Sequence, residues 1–138
     1  MQLQVKLLIV DDEPVILKTL TLLFASRGLN VHSTTDPHQA IKLMEDELFH
    51  LVLSDIRMPQ MTGNELLKHI KRINPLCQVI MMTGYSSLDY VVECIGHGAC
   101  DYFLKPFADI QLLQKSVLDT SERIIRWHQV MHDTFERG

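Results

Sequence analysis

Four places in this sequence put a chemically capable residue where a short apolar run stops. Asp11 and Asp12 follow "LLIV" at 7–10, and Asp55 follows "LVLS" at 51–54. Thr83 and Gly84 follow "QVIMM" at 78–82, and Lys105 and Pro106 follow "DYFL" at 101–104. Adjacent carboxylates at 11 and 12 repel, so a cation must neutralise them or their pKa values must rise. With Asp55 beside them they form a hard oxygen donor set. Mg²⁺ takes such a set, using one or two carboxylates and keeping waters, and Mn²⁺ is its chemical substitute. An ammonium and a hydroxyl nearby suit phosphate oxygens. A carboxylate in that setting can act as a nucleophile and become an aspartyl phosphate. The cation and Lys105 would offset charge developing on the phosphoryl oxygens.

Each residue alone has a plainer reading. An Asp after a strand usually caps a helix, a lone Lys is usually solvated, and a lone Thr is a turn residue. Only their joint placement changes that, so the elements that position them matter. "VKLLIV" (5–10), "LNVHST" (29–34), "HLVLSD" (50–55), "QVIMMT" (78–83) and "DYFLK" (101–105) predict five strands. The first, third and fourth are almost continuously apolar, as strands covered on both faces are.

Helix-period segments fill the gaps. The first opens at Pro14, carries Ile16, Leu20, Leu23 and Phe24 on one face, and stops at Gly28. The second has Asp36 as N-cap before Pro37. The third starts with the capping box Thr62–Glu65, and the fourth with Ser86–Asp89. The fifth starts near Ala108. Five β-α units with short connections predict an α/β doubly wound parallel sheet. Its ligand site lies at the carboxyl ends of the strands, at the switch point of strand order. In the order 2-1-3-4-5, Asp11, Asp12, Asp55, Thr83 and Lys105 share one edge.

The bulk numbers fit this. The chain has 138 residues with 46% hydrophobic and 22% charged, a soluble single-domain composition. A net charge of −4 argues against general nucleic-acid or anionic-membrane binding. Cys77, Cys94 and Cys100 are odd in number, lack C-x-x-C spacing and read as buried free thiols of a reducing compartment. The amino terminus has no signal-peptide pattern and no run reaches the length of a membrane span, so the expected location is cytoplasmic.

"IVDDEP", "LVLSDIRMP", "MMTGYSS" and "DYFLKPF" together resemble the signature blocks of the response-regulator receiver domain of two-component signalling, over roughly residues 5–120. The resemblance implies a flavodoxin-like (βα)5 fold that accepts a phosphoryl group from a histidine kinase or phosphotransfer protein. It implies Asp55 as phosphoacceptor. The metal ligands would be Asp12 directly, Asp11 directly or through water, Asp55, and the backbone carbonyl of Arg57. Thr83, Gly84 and Lys105 would bind the phosphoryl group, Thr83 and Tyr102 would form the switch, and the Lys105–Pro106 bond would be cis. Arg57 and Tyr85 would flank the phosphate and tune its loss to water. Glu13, before Pro14, reads as a helix-start residue.

Beyond residue 120 the chain continues to Gly138. Ile110, Leu113, Val117, Thr120, Ile124, Trp127 and Met131 alternate three and four apart, an a/d seam of about three heptads. The expectation is a receiver domain over 1–120 and a helical extension over 121–138 that has no domain left to cover. That extension would pair with a second copy or lead to an output domain or other downstream effector. Two other functions compete. A haloacid-dehalogenase-type phosphatase needs its Asp-x-Asp pair after the first strand, whereas here the candidate nucleophile follows the third. A degenerate receiver used only for contacts would not need Asp55, Thr83 and Lys105. The chain is therefore not expected to be an enzyme beyond its own phosphorylation and dephosphorylation.

Overall fold

The computed structural model describes residues 3–84, 87–107 and 109–137. The strands are β1 (Lys6–Val10), β2 (Asn30–Thr34), β3 (Leu51–Asp55), β4 (Gln78–Thr83) and β5 (Asp101–Leu104). The helices are α1 (Pro14–Ala25), α2 (Pro37–Asp46), α3 (Gly63–Ile73), α4 (Leu88–Gly96) and α5 (Ile110–Arg137). All strand pairs are parallel, in the order β2-β1-β3-β4-β5.

Side chains of a strand alternate between faces, and the two cores follow that alternation. Leu7, Ile9, Leu51, Leu53 and Ile80 face α1 and α5 through Leu20, Phe24, Leu113 and Val117. Leu8, Val10, Val52, Val79 and Met81 face α2, α3 and α4 through Ala40, Met44, Leu67, Ile70 and Cys94. Burial of both faces explains why β1, β3 and β4 lack polar alternation.

Helix starts follow the expected chemistry at α2 and α3 and differ at α4 and α5. Asp36 accepts from His38 N at 2.9 Å and Thr62 accepts from Glu65 N at 3.2 Å. α4 is capped by Ser87, which accepts from Tyr90 N at 3.3 Å, rather than by Ser86. Two consecutive serines make either cap plausible in sequence; the backbone enters the helix after the second. Ser86 and Tyr85 lie outside the described residues, as does Ala108. α5 begins at Ile110, so its expected start near Ala108 moves by two residues. α1 is followed by Gly28 at φ 87°, a backbone state that costs glycine nothing. Cys77 and Cys94 are buried free thiols, but Cys100 is exposed, because it precedes the edge strand β5.

α5 crosses residue 120 without a break. Thr120, Ser121 and Ile124 are buried, so the covered face runs a turn beyond that residue. Past it, Trp127, Val130, Met131 and Phe135 are exposed. Among the described residues, no helix is long and apolar enough to cross a membrane.

Candidate functional site

The register places the site. Val10 pairs with Ser54, Asp55 with Met82, and Thr83 with Leu104. One step on, Asp11 stands beside Asp55 and Lys105 beside Gly84. Asp11 N continues the ladder by donating to Thr34 O at 3.2 Å, and Lys105 N donates to Thr83 O at 2.7 Å. The Lys105–Pro106 peptide bond is cis.

Asp11, Asp12 and Asp55 each direct a carboxylate oxygen to a common point, all within 4.8 Å of one another. Asp11 and Asp55 are buried, while Asp12 is exposed at the rim. Lys105 Nζ reaches into the cluster: 2.6 Å from Asp11 Oδ2, 3.2 Å from Asp55 Oδ2 and 3.1 Å from Glu13 Oε2. The other oxygens are held by backbone. Asp11 Oδ1 accepts from Glu13 N at 2.8 Å, and Asp55 Oδ1 accepts from Ile56 N at 2.7 Å. Asp12, Glu13, Asp55 and Lys105 open into a cleft of about 660 Å³ that Arg57, Thr83 and Gly84 also line, with Asp11 buried behind it. Thr83 is fully buried at the cleft wall. Tyr102 is half-buried on β5 and packs on the core shared with α3 and α4.

Burial pushes the Asp55 carboxyl up to about 6; Lys105 counteracts this and Asp11 adds to it. Burial likewise raises Asp11, against the pull of Lys105. Burial alone would lower Lys105, but the hydrogen bond and charge of Asp11, together with Asp55, hold it above its ordinary value. One lysine thus faces three acids. Apart from its ion pair with Lys105, Asp11 Oδ2 accepts no hydrogen bond. A buried carboxylate oxygen served only by an ammonium is a position that already requires a cation. With two further hard oxygen donors alongside, the set fits a divalent ion of the Mg²⁺ class.

Two participants were not assigned from sequence. Glu13 sits at the N-cap position of α1, as its place before Pro14 implies, yet its side chain makes no capping bond and pairs with Lys105 instead. Gly63 opens α3 directly against the end of β3. A Cβ there would lie 2.4 Å from Asp55 O and 2.7 Å from Ile56 Cα, and Gly63 N donates to Ile56 O at 2.7 Å. The only local signal was a glycine in a first helical turn, which costs helix propensity.

The sequence profile of the response regulator receiver domain matches residues 7–117. The chain belongs to that family. The transcriptional regulatory protein ZraR of Klebsiella oxytoca is 41% identical over 117 residues, covering 83% of this chain and 26% of that protein. The regulatory protein AtoC of Escherichia coli K12 is 33% identical over 138 residues, covering 96% of this chain and 30% of that protein. The chain therefore spans between a quarter and a third of the length of these relatives. Among solved structures, the CheY-like receiver domain protein of Methanospirillum hungatei JF-1 has a TM-score of 0.80 at 33% identity, covering 87% of this chain and 96% of that one. The beryllofluoride-activated NtrC4 receiver domain, solved as a dimer, has a TM-score of 0.81 at 27% identity, covering 86% of this chain and 98% of that one. The expected flavodoxin-like receiver fold with its long last helix is the one observed.

Proposed function

We propose that this receiver domain accepts a phosphoryl group on Asp55 from the phosphohistidine of a kinase or phosphotransfer protein. The observation that carries the reading is the convergence of three carboxylates and Lys105 Nζ at the base of one cleft, with Thr83 in its wall. Asp11, Asp12, Asp55 and the backbone carbonyl of Arg57 would hold Mg²⁺, which when bound supplies positive charge to the phosphoryl oxygens.

The chain's own residues do the rest. The Asp55 side chain is 7% exposed and its Oδ2 is bonded by Lys105, so the nucleophile is held at the cleft base rather than free to rotate. Its oxygen attacks phosphorus; the P–O bond forms as the P–N bond to histidine breaks, and the imidazole nitrogen leaves with its electron pair. Lys105 exchanges its contact with Asp55 for one with a phosphoryl oxygen, and the Thr83 hydroxyl and Gly84 backbone N–H donate to the others.

Movement of Thr83 toward the phosphate would free the space into which Tyr102 turns, reshaping the α4–β5–α5 face. Two observations support that direction. Cys94 is the only residue of α4 that is buried, so the helix is lightly anchored. Leu88, Val92 and Ile95 expose an apolar row along α4, and β5 exposes Leu104. The switch needs two packings separated by only a few kcal/mol. Output then passes through effectors or a further domain. Residues 121–138 are the coupling element of this cytoplasmic protein, by self-association or as a connecting helix.

Incubation with acetyl phosphate and Mg²⁺, followed by intact mass measurement, tests the assignment. The wild type gains one phosphoryl group, the gain requires the divalent ion, and Asp55→Asn shows none. Undiminished uptake by the variant would refute it.

A further inference from the structure

The one buried side chain of α4 is held by a polar group. Cys94 belongs to the same buried cluster as Leu67, Ile70 and Val79. Its Sγ donates to Oδ1 of Asn64, in the first turn of α3. Asn64 is itself buried, on a face that otherwise carries Leu66, Leu67 and Ile70. An apolar residue would cover that surface with no need of a partner, whereas a buried amide oxygen is costly once its donor is lost. Burial pushes the Cys94 thiol up to about 11, so at neutral pH it keeps the proton that makes it a donor.

Asn64 stands at a fixed point. The preceding residue, Gly63, donates from N to Ile56 O at 2.7 Å, and a Cβ on it would lie 2.4 Å from Asp55 O. The first turn of α3 therefore follows the main chain that carries Asp55. The far end of α4 also meets α3, at Gly98, where a Cβ would lie 3.2 Å from Lys71 Cε. A flexible lysine stem can follow a moving helix. A bond between two buried side chains breaks when one of them is drawn away.

We propose that the Asn64–Cys94 bond is a latch on the receiver switch: it favours the α4 placement seen here, and phosphorylation of Asp55 has to break it. This rests on the reading of Asp55 as acceptor and names the contact the switch works against. Neither residue lines the acceptor cleft. Both are positioning residues that act through the balance between two placements of α4. A group bound at Asp55 that favours the displaced helix binds more weakly by the factor with which the latch opposes displacement.

Beryllofluoride with Mg²⁺ stands in for the phosphoryl group and tests this by titration into the 138-residue chain, with the bound fraction read from amide NMR spectra. The variants are Cys94→Ala and Cys94→Ser, checked for folding by circular dichroism. Both lose the sulfur, and only serine keeps a donor for Asn64. The apparent Kd is expected to fall about fivefold in Cys94→Ala, the scale of one hydrogen bond, and to stay at the wild-type value in Cys94→Ser. Equal gains in both variants would assign the effect to packing, and no gain in either would mean that the bond survives switching; each result overturns the latch. The wild type gives a second reading. N-ethylmaleimide followed by peptide mass mapping should label Cys94 faster in the beryllofluoride complex than in the free protein, while Cys77, also buried, stays protected. Unchanged protection of Cys94 overturns the latch as well. A wild type that binds no beryllofluoride is a separate failure, which overturns the acceptor reading and the latch with it.

Discussion

The two ends of the sheet are unsatisfied in opposite ways. At the carboxyl ends of the strands, Asp11 and Asp55 are buried beside one another with Lys105 as their shared cation. At the amino ends, Leu48 and Leu76, with Trp127, Val130, Met131 and Phe135 of α5, are apolar side chains left in water. Folding alone would favour neither arrangement. Burying carboxylates costs free energy unless they are paired, and exposing leucine and phenylalanine forgoes about 1.5–3 kcal/mol each. In the proposed function a cation and a phosphoryl group would offset the first cost, and a protein surface would offset the second.

Removing the shared cation should produce the largest effect on the chemical end. Lys105→Ala is expected to slow phosphorylation by acetyl phosphate by about 10²–10³-fold, the scale of losing one preorganised positive contact to the transferred group. The same variant leaves two buried acids uncompensated, so Mg²⁺ should raise its melting temperature more than that of the wild type. Equal shifts on adding the ion would show that Lys105 does not balance the acids.

Next comes the backbone that shapes the acceptor. Gly63→Ala sets a methyl group 2.4 Å from Asp55 O, and main chain on both sides cannot yield cheaply. A loss of about 3 kcal/mol in urea unfolding is expected, with reduced phosphate uptake. A neutral result would mean that α3 is free to draw back.

A comparable effect of opposite sign follows from the raised acceptor pKa. Asp55 titrates at 3.8 when unfolded and at about 6 when folded. Between those values the folded state holds more protons than the unfolded one. The contribution of Asp55 is thus most favourable below pH 4 and is lost as pH rises through 6. At pH 7 without divalent ion, Asp55→Asn should therefore stabilise the protein by up to about 3 kcal/mol, and remove the corresponding decline from a stability–pH curve. Destabilisation by Asn would show that Lys105 more than offsets the burial of this carboxylate.

The smallest intramolecular effects belong to the other end. Leu48→Ser and Leu76→Ser should change monomer stability by no more than about 0.5 kcal/mol, measured by denaturation at concentrations where self-association is absent. A large loss would place these leucines in the core instead of at a contact surface.

The acceptor end was legible in sequence because its residues end strands. A run such as "LLIV" declares a buried strand, and the polar residue after it must emerge at the sheet edge. Asp11, Asp12, Asp55, Thr83 and Lys105 could therefore be placed together before any contact was seen. Glu13 and Gly63 were not legible in that role. The reach of Glu13 to Lys105 joins residues 92 apart, and the crowding at Gly63 depends on how closely α3 approaches β3. Ser87 displaced Ser86 as a cap because adjacent serines offer the same chemistry. The apolar surface at the amino ends was least visible. The heptad seam of α5 showed in its spacing, but not where the domain stops covering it, since that depends on the height of the sheet. Nor does any local pattern link Leu48 and Leu76, residues of two separate connections, to Trp127.

The proposed function requires Asp55 to be the group that forms a covalent bond to phosphorus. After phosphorylation with acetyl phosphate and Mg²⁺, borohydride reduces an acyl phosphate to the alcohol, converting the modified aspartate to homoserine. Peptide mass mapping then reads the position. Homoserine at residue 55 and at no other acid is the predicted result. Homoserine at residue 11 or 12, or at several sites with 55 unmodified, would contradict it.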